Sequence, residues 1–146
     1  MDALDILKSD HQRIKSLFDQ LLVESGKQQK KLLFENLRDM LDEHARIEET
    51  VFYPAFQKFP DFAPILKKFI KAHHDSNAIF REIPDTEKQT AEWDLQIQNG
   101  MKVLIAHIDE EESEMFPMVR KIMKRFDREQ IGRLLMAAKQ ELSEAA

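Results

Sequence analysis

The sequence predicts an all-α fold: an up-down-up-down four-helix bundle with a short C-terminal helix. Three observations carry this. Apolar residues recur at three- and four-residue spacing along nearly the whole chain, and no stretch sustains strand alternation. Prolines and a glycine cut that pattern into segments joined by short connectors, as a bundle requires. The chain also carries a weak internal duplication. "HQRIKSLF" (11–18) and "HHDSNAIF" (73–80) both place Phe seven residues after a histidine. His11 and His73 are 62 residues apart, and His44 and His107 are 63 apart. The first two segments thus resemble the next two as a pair.

Leu4, Leu7, Ile14, Leu17, Phe18 and Leu21 form the stripe of a first helix, with Gly26 as its expected C-terminal stop. Leu33, Leu37, Met40, Leu41, His44, Ile47, Glu48 and Val51 line a long second helix, disturbed at Pro54. The third begins at Asp61 or Ala63, with Pro64 in its first turn. It carries Leu66, Phe69, Ile70, His73 and Phe80 before stopping at Pro84. After "PDTEKQT", with Thr90 as the expected N-cap, the fourth passes Trp93, Ile97, Leu104, His107 and Glu111 and meets Pro117. Asp127 and Gln130 stand at capping-box spacing and open the terminal helix.

A chain of 146 residues, 42% hydrophobic and 34% charged, is sized and composed for a single globular core. Having no cysteine, it cannot form disulfides, thiolate zinc sites or cysteine nucleophiles, so any metal must be held by nitrogen and oxygen. The net charge of −5 argues against nucleic acid as a partner. The basic clusters "KKFIK" and "RKIMKR" sit among apolar residues and read as solvated helix faces. No apolar run is long enough to span a membrane, and "MDALDILKSDHQ" lacks a signal pattern, so the expected location is cytoplasmic.

"LDEHARIEETVFYP" (41–54) recurs as "LIAHIDEEESEMFP" (104–117), with the histidine, the glutamate four residues later and the proline at matching offsets. His11, His44, His73 and His107 fall on the apolar stripes of four different helices. One such histidine is ordinarily a satisfied core residue; four, one per helix, would each cost a few kcal/mol without partners. Glu48 and Glu111 follow His44 and His107 by one turn and share their faces. Buried carboxylates persist when paired or metal-bound, and no Lys or Arg stands at the matching inward positions. The bland alternative has the pairs hydrogen-bonded to each other or lying on an exposed edge. The duplication favours a shared two-metal site to which each half contributes.

The constellation His11, His44-x-x-x-Glu48, His73, His107-x-x-x-Glu111 resembles the hemerythrin-like (HHE cation-binding) domains, over essentially the whole chain up to about residue 123. The resemblance implies one domain over 1–146, with a metal-binding bundle over about 1–123 and the C-terminal helix over about 127–144. It implies two iron ions in an oxo- or hydroxo-bridged centre, Glu48 and Glu111 bridging, His11 and His44 on one iron, His73 and His107 on the other. Ferritin-like bundles use the reverse order at spacing three. Of the adjacent His73 and His74, His73 is in phase with the stripe. Where oxygen-carrying hemerythrins have a further histidine, this chain has Asn77. Water, Asn77, His74 or Tyr53 is left to fill that position. Two adjacent open positions suit peroxide turnover better than reversible carriage.

The functions this implies are binding of dioxygen or nitric oxide for sensing, storage or scavenging; a peroxide-decomposing enzyme; or iron storage and donation for iron-sulfur cluster repair. No redox partner is implied. Imidazole and carboxylate also suit zinc, manganese or nickel, so iron rests on the resemblance. Glu49, Asp109, Glu110, Glu112 and Glu114 are expected mostly to face solvent.

Overall fold

The computed structural model describes residues 1–84 and 89–145. Those residues are helical apart from turns and connectors, with no strand among them. Helix α1 (Ala3–Val23) is capped by Asp2, whose carboxylate accepts from the Leu4 amide at 3.0 Å. A cap of this kind contributes about 1 kcal/mol. Helix α2 (Lys27–Ile47) starts on Gly26, which has φ −75° and so stands at an N-cap, with no left-handed stop between the helices. The sequence expectation for Gly26 is corrected: Glu24 ends α1 in extended backbone, and its own carboxylate accepts from the Gly26 amide at 2.9 Å.

The disturbance expected at Pro54 begins six residues earlier. Residues Glu48–Phe52 form a π-helical turn, followed by a 3₁₀ turn over Tyr53–Phe56 with Pro54 at its start. A second short 3₁₀ turn, Pro60–Phe62, leads into α3 (Ala63–Glu82). Of the two starts the sequence allowed, the helix takes Ala63. Helix α4 (Ala91–Glu110) is capped by Thr90, whose hydroxyl accepts from the Trp93 amide at 3.1 Å. Most of the expected connector before it, residues 85–88, lies outside the described residues.

The second half then repeats the first. Glu111–Met115 is again a π-helical turn, and Pro117 opens the continuation α5 (Phe116–Ile122). In both halves the glutamate is the first residue of the turn and the proline follows six residues later. Proline has no N–H to give to the carbonyl four residues back, and the residue before each proline bonds five residues back rather than four. Those bonds run from the Tyr53 amide to Glu48 O and from the Phe116 amide to Glu111 O.

Helices α1 and α2 pack as one pair and α3 and α4 as the other, and contacts of α2 with α3 and α1 with α4 close the bundle. Helix α6 (Arg125–Ala145) starts two residues before the expected Asp127 cap and lies against α1, α2 and the first π-helical turn. Asp127 instead sits in its first turn, where a negative charge favours the helix dipole.

Two apolar clusters fill the interior. One joins Leu4 and Leu7 to Phe52, Phe56, Phe69 and Phe116 and to Ile131 and Leu135 of α6. The other joins Ile14, Phe18, Phe34 and Leu41 to Phe80, Trp93, Met101 and Leu104. Helices α1, α2 and α3 each contribute to both clusters, whereas α4 lies in the second and its continuation through Met115 and Phe116 reaches the first. The buried polar and charged side chains among the described residues are Asp10, His11, His44, Glu48, His73, Ser76, Asn77, His107 and Glu111. Along α1, α2, α3 and α4 with its continuation they fall where the two clusters meet, forming one polar band inside an otherwise apolar core. No helix among the described residues is long and apolar enough to cross a membrane.

Candidate metal centre

Within that band the six candidate ligands meet as two overlapping groups. His11, His44, Glu48 and Glu111 form one, and Glu48, His73 and His107 the other; in each group the possible donor atoms lie within 4.8 Å of one another. Glu48 belongs to both. His44 Nε2 is 2.5 Å from Glu48 Oε1, and His11 Nε2 is 3.8 Å from that oxygen and 3.6 Å from Glu111 Oε1. On the other side His73 Nδ1 is 3.5 Å from Glu48 Oε2 and His107 Nε2 is 3.6 Å from Glu111 Oε2.

Two carboxylates fix the imidazoles of the first group. Asp10 accepts from His44 Nδ1 at 3.0 Å, and Glu112 from His11 Nδ1 at 2.8 Å. With Nδ1 engaged behind each ring, Nε2 faces the centre, the arrangement that makes a histidine a good ligand once that nitrogen gives up its proton. Tyr53 donates from its hydroxyl to Glu111 Oε2 at 3.0 Å and stands edge-on to His73. The Asn77 amide nitrogen is 3.2 Å from His73 Nε2. His74 is on the surface, 62% exposed, beside Glu49.

The sequence reading missed Asp10, and of the flanking acids expected mostly to face solvent it did not say which would reach the site. Asp109 pairs with Lys15, and Glu110 and Glu114 with Lys68, as solvent-facing residues do. Glu112 turns inward to His11, and Glu49 reaches His73 at 3.3 Å. Asp10 and Glu112 each adjoin a candidate ligand in sequence, which places them about 100° around the helix, beside the site rather than in it. The signal available was the rule that a ligating histidine usually has a carboxylate behind it.

Among the described residues, three buried side-chain atoms have no hydrogen-bond partner: Glu48 Oε2, Glu111 Oε1 and His107 Nδ1. A buried acceptor left unsatisfied costs about 1–3 kcal/mol, more if charged. A cation bound between the helices would satisfy the two carboxylate oxygens, so the donor set fits a metal.

The metal-free electrostatics are those of crowded charges. Burial opposes a charge on His44, but Glu48 and Asp10 outweigh it and push the imidazole up to about 10. Burial also opposes the Glu48 charge, yet the His44 imidazolium holds this carboxylate well below its usual range. Glu111, buried and next to the Glu48 charge, is pushed well up. Burial and the neighbouring imidazoles push His107 down to about 4, against the pull of Glu48.

The signs give a prediction. His44 is more basic folded than unfolded, so its contribution is full below about 6.5 and is lost as pH rises toward 10. His107 is less basic folded, so stability falls as pH drops from 6.5 toward 4. Glu111, pushed up, offsets the His107 gain between about 4.5 and 6.5. Metal-free protein should therefore lose stability above about 6.5, where His44 and Glu111 act together, and below about 4.5, where Glu48 joins His107, in melts across pH. Metal uptake at pH 8 should release protons, from His44 first, read in weak buffer with an indicator dye.

The fold and this donor set define a metal-binding helical bundle. The chain belongs to the hemerythrin HHE cation-binding domain family, whose model matches residues 2–119. A curated protein of Nostoc sp. (strain PCC 7120) described as a DNA nickase is 22% identical over 144 residues, covering 99% of this chain. The chain spans 41% of that protein's length. No solved structure matches the chain at a significant level.

Proposed function

We propose that the chain is a non-heme di-iron protein that binds dioxygen or related small oxidants. His11 and His44 hold one iron, His73 and His107 the other, and Glu48 and Glu111 lie between them. The observation that supports this best is the sharing of Glu48 by two donor groups in a band closed by apolar clusters on both sides. Two irons bound there would supply redox chemistry toward dioxygen, peroxide or nitric oxide. The protein's part is to admit only small molecules and exclude bulk water, since Phe69 and Phe116 pack on the histidine rings. Tyr53, whose pKa burial and the two glutamates raise well above its usual value, keeps its proton for Glu111.

Peroxide decomposition is the second reading, and Asn77 favours it. An amide beside His73 leaves that side of the centre one imidazole short. Iron-loaded protein should evolve oxygen from added peroxide, and Asn77→His should slow this about tenfold or more by filling an open position. An oxygen electrode checks both, and equal rates in the two proteins would remove the role given to Asn77. The DNA nicking in the relative's name belongs to a protein more than twice as long, and the net charge of −5 disfavours phosphate binding.

A further inference from the structure

Helix α6 lies beyond the residues that the family model matches, yet it reaches the centre. It is held against α1 at three points. Arg128 donates to Asp2, the α1 N-cap, at 2.7 Å, and also to the Met123 carbonyl at 2.9 Å. Gly132 sits so close to the N-terminus that a Cβ there would lie 2.1 Å from the Met1 carbonyl oxygen. Lys139 donates to Asp10 Oδ1. The pairs run in one direction along both helices, Arg128 with Asp2 and Lys139 with Asp10, so α6 lies parallel to α1. Ile131 and Leu135 fill the apolar stripe between them.

Only the third point touches the polar band. Asp10 is 2% exposed, and its two oxygens are divided: Oδ2 accepts from His44 Nδ1 and Oδ1 from Lys139. The lysine side chain is 16% exposed, with Glu43 4.0 Å from its ammonium as the next acid. Without Lys139, Asp10 would have a free oxygen in a dry site and could swing away from His44. With it, the carboxylate is pinned, and His44 Nε2 is aimed at Glu48.

We propose that Lys139 is a positioning residue for the metal centre: through Asp10 it sets the orientation of His44, and it makes the C-terminal helix part of the site. This rests on the metal-centre reading above. The competing account is that Lys139 only docks α6. Arg128 separates the two, because it docks α6 through Asp2, far from the centre.

The test uses the full chain loaded anaerobically with ferrous iron, then challenged with a ferrous chelator. Lys139→Met and Asp10→Asn should release iron about 10–100-fold faster than wild type, the range for lost partners behind a ligand, and Lys139→Arg should return most of the difference. Arg128→Met should lower the melting temperature but leave iron release unchanged. In metal-free protein, the nitrogen-15 resonance of His44 Nδ1 should shift in Lys139→Met and not in Arg128→Met. Iron uptake with wild-type release in Lys139→Met overturns this inference alone, as does equal acceleration in both variants. A wild-type protein that takes up no iron overturns the metal-centre reading and this inference with it.

Discussion

Glu48→Ala should strip metal from the whole centre, whereas His44→Ala should lose about half of it. The difference follows from Glu48's membership of both donor groups and His44's membership of one. Losing a ligand common to two ions should lower the affinity of both sites by well over the 10–100-fold of an outer partner. Glu48→Ala also removes one partner of a buried pair, which costs about 3–5 kcal/mol. It leaves His44 without its 2.5 Å partner, so His44 should titrate well below about 10 and the metal-free variant should be less stable than wild type. Metal loss therefore counts only where the variant is still folded. Elemental analysis and helical content measured together decide the case. His74→Ala, at an exposed position outside both groups, should keep full metal content. Full metal in Glu48→Ala would sink the shared-carboxylate arrangement.

Removing metal should cost the wild-type protein about 8–16 °C of melting temperature. A ligand at a thousand times its dissociation constant contributes about 4 kcal/mol to the folded state, and for a chain of this size each kcal/mol moves the midpoint about 2–4 °C. The reason lies in the band itself. Glu48, Glu111 and His107 each bury an atom with no partner, and the metal-free fold must hold them. Acid should act in the same direction as chelation, because protons compete for the imidazole nitrogens. Calorimetric scans before and after dialysis against chelator read the shift directly. Coincident midpoints would mean the band is satisfied without metal.

Much of this was legible in the sequence because the signals were periodic. A histidine on each of four apolar stripes needs only helical phase to be brought inside, and the duplication ties the stripes into pairs. The helix caps at Thr90 and the proline-marked start at Ala63 are equally local. What escaped was of two kinds. The π-helical turns at Glu48 and Glu111 answer to prolines six residues away, and a proline announces a disturbance without giving its form. Those turns alter helix phase, which helps explain how Tyr53, half a turn out of phase with His44 on an ideal helix, reaches Glu111. The partners behind the ligands escaped for a different reason. Asp10 and Glu112 lie off the stripe, and Lys139 is 129 residues from Asp10 in the chain. No periodicity links such residues; only the docked position of α6 does.

The most direct test of the central claim is the iron content and optical spectrum of the wild-type protein after anaerobic loading with ferrous ion and exposure to air. The proposed centre predicts about two irons per chain, the number its two donor groups would hold, with charge-transfer absorption in the near ultraviolet. A colourless protein that retains no iron after loading would contradict it.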